Sequence, residues 1–207
     1  MTIRRSMLLV GAGGLAVTAL VVRVAVAEAP VSLTVARGSG ECTFDWTKEG
    51  VAFTPTAPGK APGSYTVSDI KGTVTVDMAA PDPLSFARSA TVDGRFKGGF
   101  TLKDAAGHFV QVSEGQGSAP AGKGEFLVRT SADSAGTRMP VYALNDASDA
   151  LDPSIVSMVP PRVKLNVLPI EMVLTPEFAR TLNDAFGPDS ANPGQPYGIC
   201  SAQITTS

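Results

Sequence analysis

Gly72-Thr-Val-Thr-Val-Asp-Met78 puts Val74, Val76 and Met78 on one face and two threonines and an aspartate on the other. A two-residue period of this kind belongs to a β-strand with one face buried. Val31-Ser-Leu-Thr-Val35 alternates in the same way. Further β-rich segments lie at Cys42–Trp46, Val51–Thr54, Ser64–Ile70, Leu84–Val92, Phe100–Lys103, His108–Val112, Phe126–Thr130, Val141–Leu144 and Ile199–Thr205. Gly, Pro, Ser and Asp divide them. Many short strands separated by turn residues predict an all-β fold, an antiparallel β-sandwich or a partly open barrel. The stretches Thr54–Ser64, Gly115–Gly124 and Pro188–Pro196 read as surface loops, and Asp82, between Pro81 and Pro83, as a rigid turn.

Two segments carry more detail. In Val163–Leu174 the alternation slips: Val163, Leu165 and Val167 share one face, whereas Leu168, Ile170, Met172 and Leu174 share the other. The slip falls beside Pro169 and predicts a bulge or a bend between two strands. After it, Thr175-Pro176-Glu177 is a helix start, with an N-cap hydroxyl, proline at the first helical position and an acid in the first turn. Phe178, Leu182 and Ala185 or Phe186 form its apolar stripe, and Gly187 is placed to end it. One short C-terminal helix, plugging the end of the β core, is therefore expected.

The chain opens with an address. Arg4 and Arg5 precede an apolar run from Met7 to Val22, and Ala25-Val26-Ala27 has the small-x-small pattern of a signal-peptidase site. Residues 1–27 read as an export signal, with a mature domain over 28–207. The run is shorter than the roughly 20 residues that span a bilayer, which favours cleavage over retention as an anchor. The paired arginines also fit a twin-arginine signal, although Ile3 stands where that pattern prefers Ser or Thr; both export routes stay open. Without the signal no transmembrane segment is expected, and the protein should be secreted or associated with the cell envelope.

Removal of the signal takes three arginines and leaves 14 basic against 19 acidic side chains. An acidic chain without a cluster of Lys and Arg argues against nucleic acid and against anionic lipid surfaces as partners. The partner expected instead is another protein or an envelope component. Cys42 and Cys200 are the two cysteines. In an oxidising compartment, and without CxxC spacing, they are expected to form one structural disulfide.

The segment Leu174-Thr-Pro-Glu-Phe-Ala-Arg-Thr-Leu-Asn-Asp-Ala-Phe-Gly187, followed by Pro193-Gly-Gln-Pro-Tyr-Gly198, resembles the closing segment of exported actinobacterial β-rich envelope proteins, among them the HtaA-like haem-uptake domains. The resemblance covers about 35 residues. It implies a β-rich envelope fold and, in its sharpest version, a haem carrier. Those domains begin with a Trp-Gly motif near a haem-ligating tyrosine. Here Trp46 is followed by Thr-Lys-Glu-Gly and the next tyrosine is Tyr65, so haem binding does not carry over residue by residue.

Candidate chemistry is sparse. His108 is the only histidine and shares a strand face with Val110 and Val112. As a catalytic base it would need a nucleophile and an orienting carboxylate. Asp104, four residues earlier, makes an unpersuasive partner, and no G-x-S-x-G elbow is present. No residue is assigned a catalytic role. Ligand-binding candidates are His108, Tyr65, Tyr142 and Tyr197, each able to ligate haem. Asn145, Asp146, Asp149 and Asp152 form the densest oxygen cluster; Asp146, Asp149 and Asp152 are the calcium candidates, against the reading of a solvated acidic loop. A binding or structural role without a cofactor is the primary expectation. A small-ligand carrier for haem or calcium is the alternative, followed by a hydrolase using His108.

Overall fold

The computed structural model describes residues 30–120, 122–144 and 147–207; the export segment, Asn145 and Asp146 lie outside the described residues. Eleven strands are present among them: β1 (Val31–Thr43), β2 (Val51–Pro55), β3 (Ser64–Val76), β4 (Thr91–Lys97), β5 (Phe100–Asp104), β6 (Phe109–Ala119), β7 (Lys123–Thr130), β8 (Thr137–Leu144), β9 (Leu151–Met158), β10 (Pro161–Leu174) and β11 (Pro196–Thr206). Two helices join them, α1 (Pro83–Ser89) and α2 (Pro176–Phe186).

All the strands belong to one antiparallel sheet, and the sheet closes on itself. Pairing runs β6–β4–β3–β1–β11–β10–β8–β7 and returns from β7 to β6. Closure removes exposed edges from these eight strands. β5 and β2 extend from β6, and β9 pairs with β10 alone. The antiparallel all-β expectation thus holds in its barrel form.

Strand β10 shows why the alternation slips. Its register against β11 shifts between Val167 and Ile170, so Leu168 and Pro169 bulge outward. Val163, Leu165, Ile170, Met172 and Leu174 all face the core as a result. The bulge lets one strand keep a single apolar face across two phases of alternation.

Helix α2 begins and ends where the sequence places it. The Thr175 hydroxyl accepts from the Phe178 N–H, and Gly187 at φ 96° terminates the helix. Phe178, Ala179 and Leu182 are buried. Helix α1 corrects the reading of Leu84–Val92 as a strand. The Asp82 carboxylate accepts from the Leu84 and Ser85 N–H groups, and Pro83 takes the first helical position. Asp82-Pro83 is the same start signal as Thr175-Pro176, masked by the preceding proline.

A second correction concerns Gly115–Gly124. Most of it is strand: β6 runs on to Ala119 and pairs with β4 through Val92↔Ala119, Gly94↔Gly117 and Phe96↔Gly115. Gly115 and Gly124 are there because a Cβ would run into the rings of Phe96 and Tyr142, not because the segment is a loop.

The core has two parts. At the α2 end, rings pack around Phe100: Phe44 at 4.4 Å, Phe53 at 5.4 Å, Tyr65 at 5.6 Å and Tyr197 at 6.2 Å between centroids. Trp46 contacts Phe186 at 6.0 Å, tying the β1 exit to α2. Toward the opposite end the core turns aliphatic, with Leu33, Val74, Val76, Leu151, Val163 and Leu165 buried. Cys42 and Cys200 are bonded, as expected. They face each other directly in the β1–β11 register.

Candidate functional site

Between the aromatic and aliphatic parts of the core lies an apolar cavity of about 120 Å³. Each of the eight barrel strands contributes to its wall. Val67 and Ile70 come from β3, Phe96 from β4, Ile170 and Met172 from β10, and Ile204 from β11. The space exists because several inward positions carry almost no side chain: Gly94, Gly117, Ala119, Gly124 and Ala202. A Cβ added at Gly94 would meet its nearest side-chain atom, on Ile70, at an ordinary 3.7 Å. By contrast, a Cβ at Gly124 would run into the Tyr142 ring, which lies across that glycine and bounds the cavity. Ser118, Lys123 and Ser201 supply the polar part of its lining, and Lys123 is exposed.

Of the four residues nominated as ligands, only Tyr142 lines this cavity. Tyr65 and Tyr197 sit wholly buried in the aromatic part of the core, with Tyr142 and Tyr197 5.8 Å apart. The Tyr65 and Tyr197 hydroxyls lack a hydrogen-bond partner of good geometry. Burial pushes all three phenols up, Tyr142 to about 12. For Tyr65 the neighbouring Tyr142 adds to that effect. At neutral pH all three are therefore neutral hydrogen-bond donors, and ionising one to ligate a metal would be costly. A cavity near the 150 Å³ scale that holds benzene has no room for a tetrapyrrole unless its walls part.

His108 stands apart, on the hairpin between β5 and β6. Asp104 does meet it: Nδ1 lies 2.8 Å from the Asp104 carboxylate, contrary to the expectation from sequence. The same carboxylate accepts the His108 N–H at 2.8 Å, and the Asp104 N–H donates to the His108 carbonyl at 3.1 Å. The pair clamps a hairpin turn. A neighbouring hollow of about 330 Å³ includes Ser131, Asp133, Thr181 and Asp184. Ser131 Oγ already accepts from the Phe109 N–H at 2.7 Å.

The His108 side chain, followed by burial acting the other way and the His108 N–H, sets the Asp104 carboxyl, holding it below its usual 3.8. A carboxylate with a depressed folded-state value stabilises above its unfolded value and loses that contribution as pH falls through the depressed one. The hairpin should therefore loosen below pH 3.8, seen as faster exchange of the His108 amide, and Asp104→Asn should abolish that pH dependence.

Two of the three calcium candidates lie among the described residues. Asp149 and Asp152 are exposed, and Asp152 accepts from Asn166 Nδ2 at 3.2 Å. Asp146 lies outside the described residues. Among the described residues no group of three or more His, Cys, Asp or Glu side chains gathers as a metal site.

A broad concavity of about 1130 Å³ spreads over β3, β4, β6, β7 and β8. Asp69, Asp93, Glu114 and Glu125 share it with Lys71, Arg95, Lys97, Lys123 and Arg138. Lys97 bonds Asp69 at 2.8 Å and Gln116 bonds Glu125 at 2.9 Å, so part of this charge is satisfied internally. Its mixed sign selects no ligand.

The cavity was not legible from sequence. It depends on which glycines and alanines face inward, and that follows only from the strand register.

No known protein family matches the chain, and no curated protein matches it. A solved structure does. The C-terminal domain of HtaA from Corynebacterium glutamicum superposes with a TM-score of 0.53 at 18% identity, covering 84% of this chain and 99% of that one. The shared feature is the fold. The likeness extends far beyond the closing 35 residues on which the sequence resemblance rests. Among the described residues no helix is long and apolar enough to cross a membrane.

Proposed function

We propose that this is an exported binding protein of the cell envelope or extracellular space that holds a small apolar ligand, or the apolar end of a larger one, in the barrel cavity. The cavity carries this reading: all eight strands of the closed barrel leave room at one place, by small inward residues, in a core that is otherwise filled. Native proteins break local packing rules mostly at functional sites. The signal-like residues 1–27 and the Cys42–Cys200 bridge support work in an oxidising compartment outside the cytoplasm. The fold shared with the HtaA domain supports an envelope setting.

The ligand is apolar because the wall is. The tyrosines beside the cavity are neutral donors, so an oxygen acceptor on the ligand would suit Tyr142. No hydrolytic step is assigned to His108 and Asp104, which serve the hairpin.

Titration with straight-chain fatty acids of increasing length, followed by calorimetry, tests the proposal. Gly94→Leu grows a side chain into the cavity and should weaken binding roughly tenfold or more, the cost of about 1.4 kcal/mol or above for excluding part of the ligand. Its melting temperature should not fall, because the site accepts a Cβ without a clash. Binding unchanged in Gly94→Leu, or none by the wild type, would refute the cavity as the site. A parallel addition of haemin separates the haem alternative: a sharpened Soret band lost in Tyr142→Phe would replace the apolar-ligand reading.

A further inference from the structure

The hairpin formed by β9 and β10 exposes apolar side chains that the barrel does not use. Pro161 pairs with Met158, leaving Val159 and Pro160 as the turn. Val159 is 79% exposed, Val156 55%, Met158 51% and Ile155 46%. β9 pairs with β10 alone, so nothing in the sheet covers its far side.

The register fixes where this tip points. The Val163 N–H donates to Thr206 Oγ1, and Val35 pairs with Thr206, so Val163 and Val35 stand at one level. Running back from there, β10 reaches the hairpin turn and β1 reaches Val31 at the same end of the barrel. One strand, β11, lies between them, a gap of about 10 Å. Val31 also pairs with Val76, the last residue of β3, which leads into α1. Leu84 of α1 is 56% exposed. The end opposite α2 thus carries the apolar tip, Leu84 and the start of β1.

Two features select the occupant of this end. From Pro153 to Lys164 there is no acid and there are two bases, Arg162 and Lys164, in a chain whose acids outnumber its bases, 19 to 17. An apolar tip flanked by cations fits an anionic lipid surface, where each base near the surface adds to binding. In addition, only eight residues, Arg23–Pro30, separate Val31 from the apolar run ending at Val22. At most about 28 Å of chain fits in that interval. With the apolar run seated in a bilayer, this end, rather than the α2 end, lies within that reach of the membrane.

We propose that the β9–β10 hairpin tip docks on the surface of an anionic lipid bilayer, inserting Val156, Met158 and Val159 among the headgroups. The proposal does not depend on what the cavity holds, and its test reads the tip alone.

Cys42 and Cys200 are bonded to each other, so Val159→Cys in the full-length chain supplies a free thiol for an environment-sensitive fluorophore. On vesicles of mixed phosphatidylglycerol and phosphatidylcholine, emission should rise about twofold and be quenched by spin-labelled lipid, as for a probe entering the interface. Half-maximal response should need roughly tenfold more lipid when the vesicles are phosphatidylcholine alone. A label at Glu49→Cys, at the opposite end, should not respond. An unchanged tip signal on vesicles that the chain nevertheless binds would overturn the proposal. So would a rise that follows protein concentration without lipid, which would assign the tip to a second copy of the chain.

Discussion

Phe100→Ala is expected to destabilise the protein by about 3–5 kcal/mol, the usual cost of truncating a fully buried aromatic ring. Phe100 has no exposed surface and stands among four rings supplied by other parts of the chain: Phe44, Phe53, Tyr65 and Tyr197. Three of those rings, Phe44, Phe53 and Tyr197, are themselves held by other rings, which limits collapse into the gap. Phe44 stacks on Phe53 at 5.2 Å and meets Tyr197 edge-on at 5.2 Å, for example. Domain stabilities of about 5–15 kcal/mol make this loss a large fraction of the total. Denaturant unfolding checks it: the midpoint should fall while the slope stays constant. Phe53→Ala, at a half-buried ring, should shift the midpoint much less. Equal shifts would mean that the aromatic cluster is not centred on Phe100.

The second large effect belongs to the disulfide. Converting both cysteines to alanine should cost about 3–5 kcal/mol, which in a domain of this size lowers the melting temperature by roughly 10 °C. The bridge spans 158 residues of sequence, so it removes much of the freedom of the unfolded chain. In the folded state it adds little, because Cys42 and Cys200 already face each other across paired strands. The effect should therefore appear in unfolding equilibria and leave the native fold intact. Cys42 is 4% exposed, so reductant should act slowly on the native protein and quickly once it unfolds. An oxidised and a reduced sample melting together would mean that the bridge contributes nothing.

Much of the fold was legible because it follows from local patterns. Alternation marks Val74, Val76 and Met78; the slip beside Pro169 marks the β10 bulge; Thr175-Pro176 and Gly187 mark both ends of α2. What escaped was non-local. β9 carries Pro153 and buries only Leu151 and Pro153, so it lacks the alternation that announces a strand. Gly115 looked like a loop residue because the ring of Phe96, on another strand, is what demands it. Tyr65 and Tyr197 looked like available ligands because a tyrosine in a strand reads alike whether its face meets water or the core. The candidate site is a gap, and a gap has no sequence of its own.

The pairing of β1 with β11 also sets a schedule. β1 lies between β3 and β11, so the barrel is incomplete until Pro196–Thr206 is available. A ribosome-bound chain still lacking that segment has one flank of β1 and one of β10 unsatisfied, and folding governed by such distant contacts is slow. The barrel therefore closes only once its last strand has joined. Until then the chain is an open, threadable polymer, the state in which a polypeptide can pass through a narrow channel.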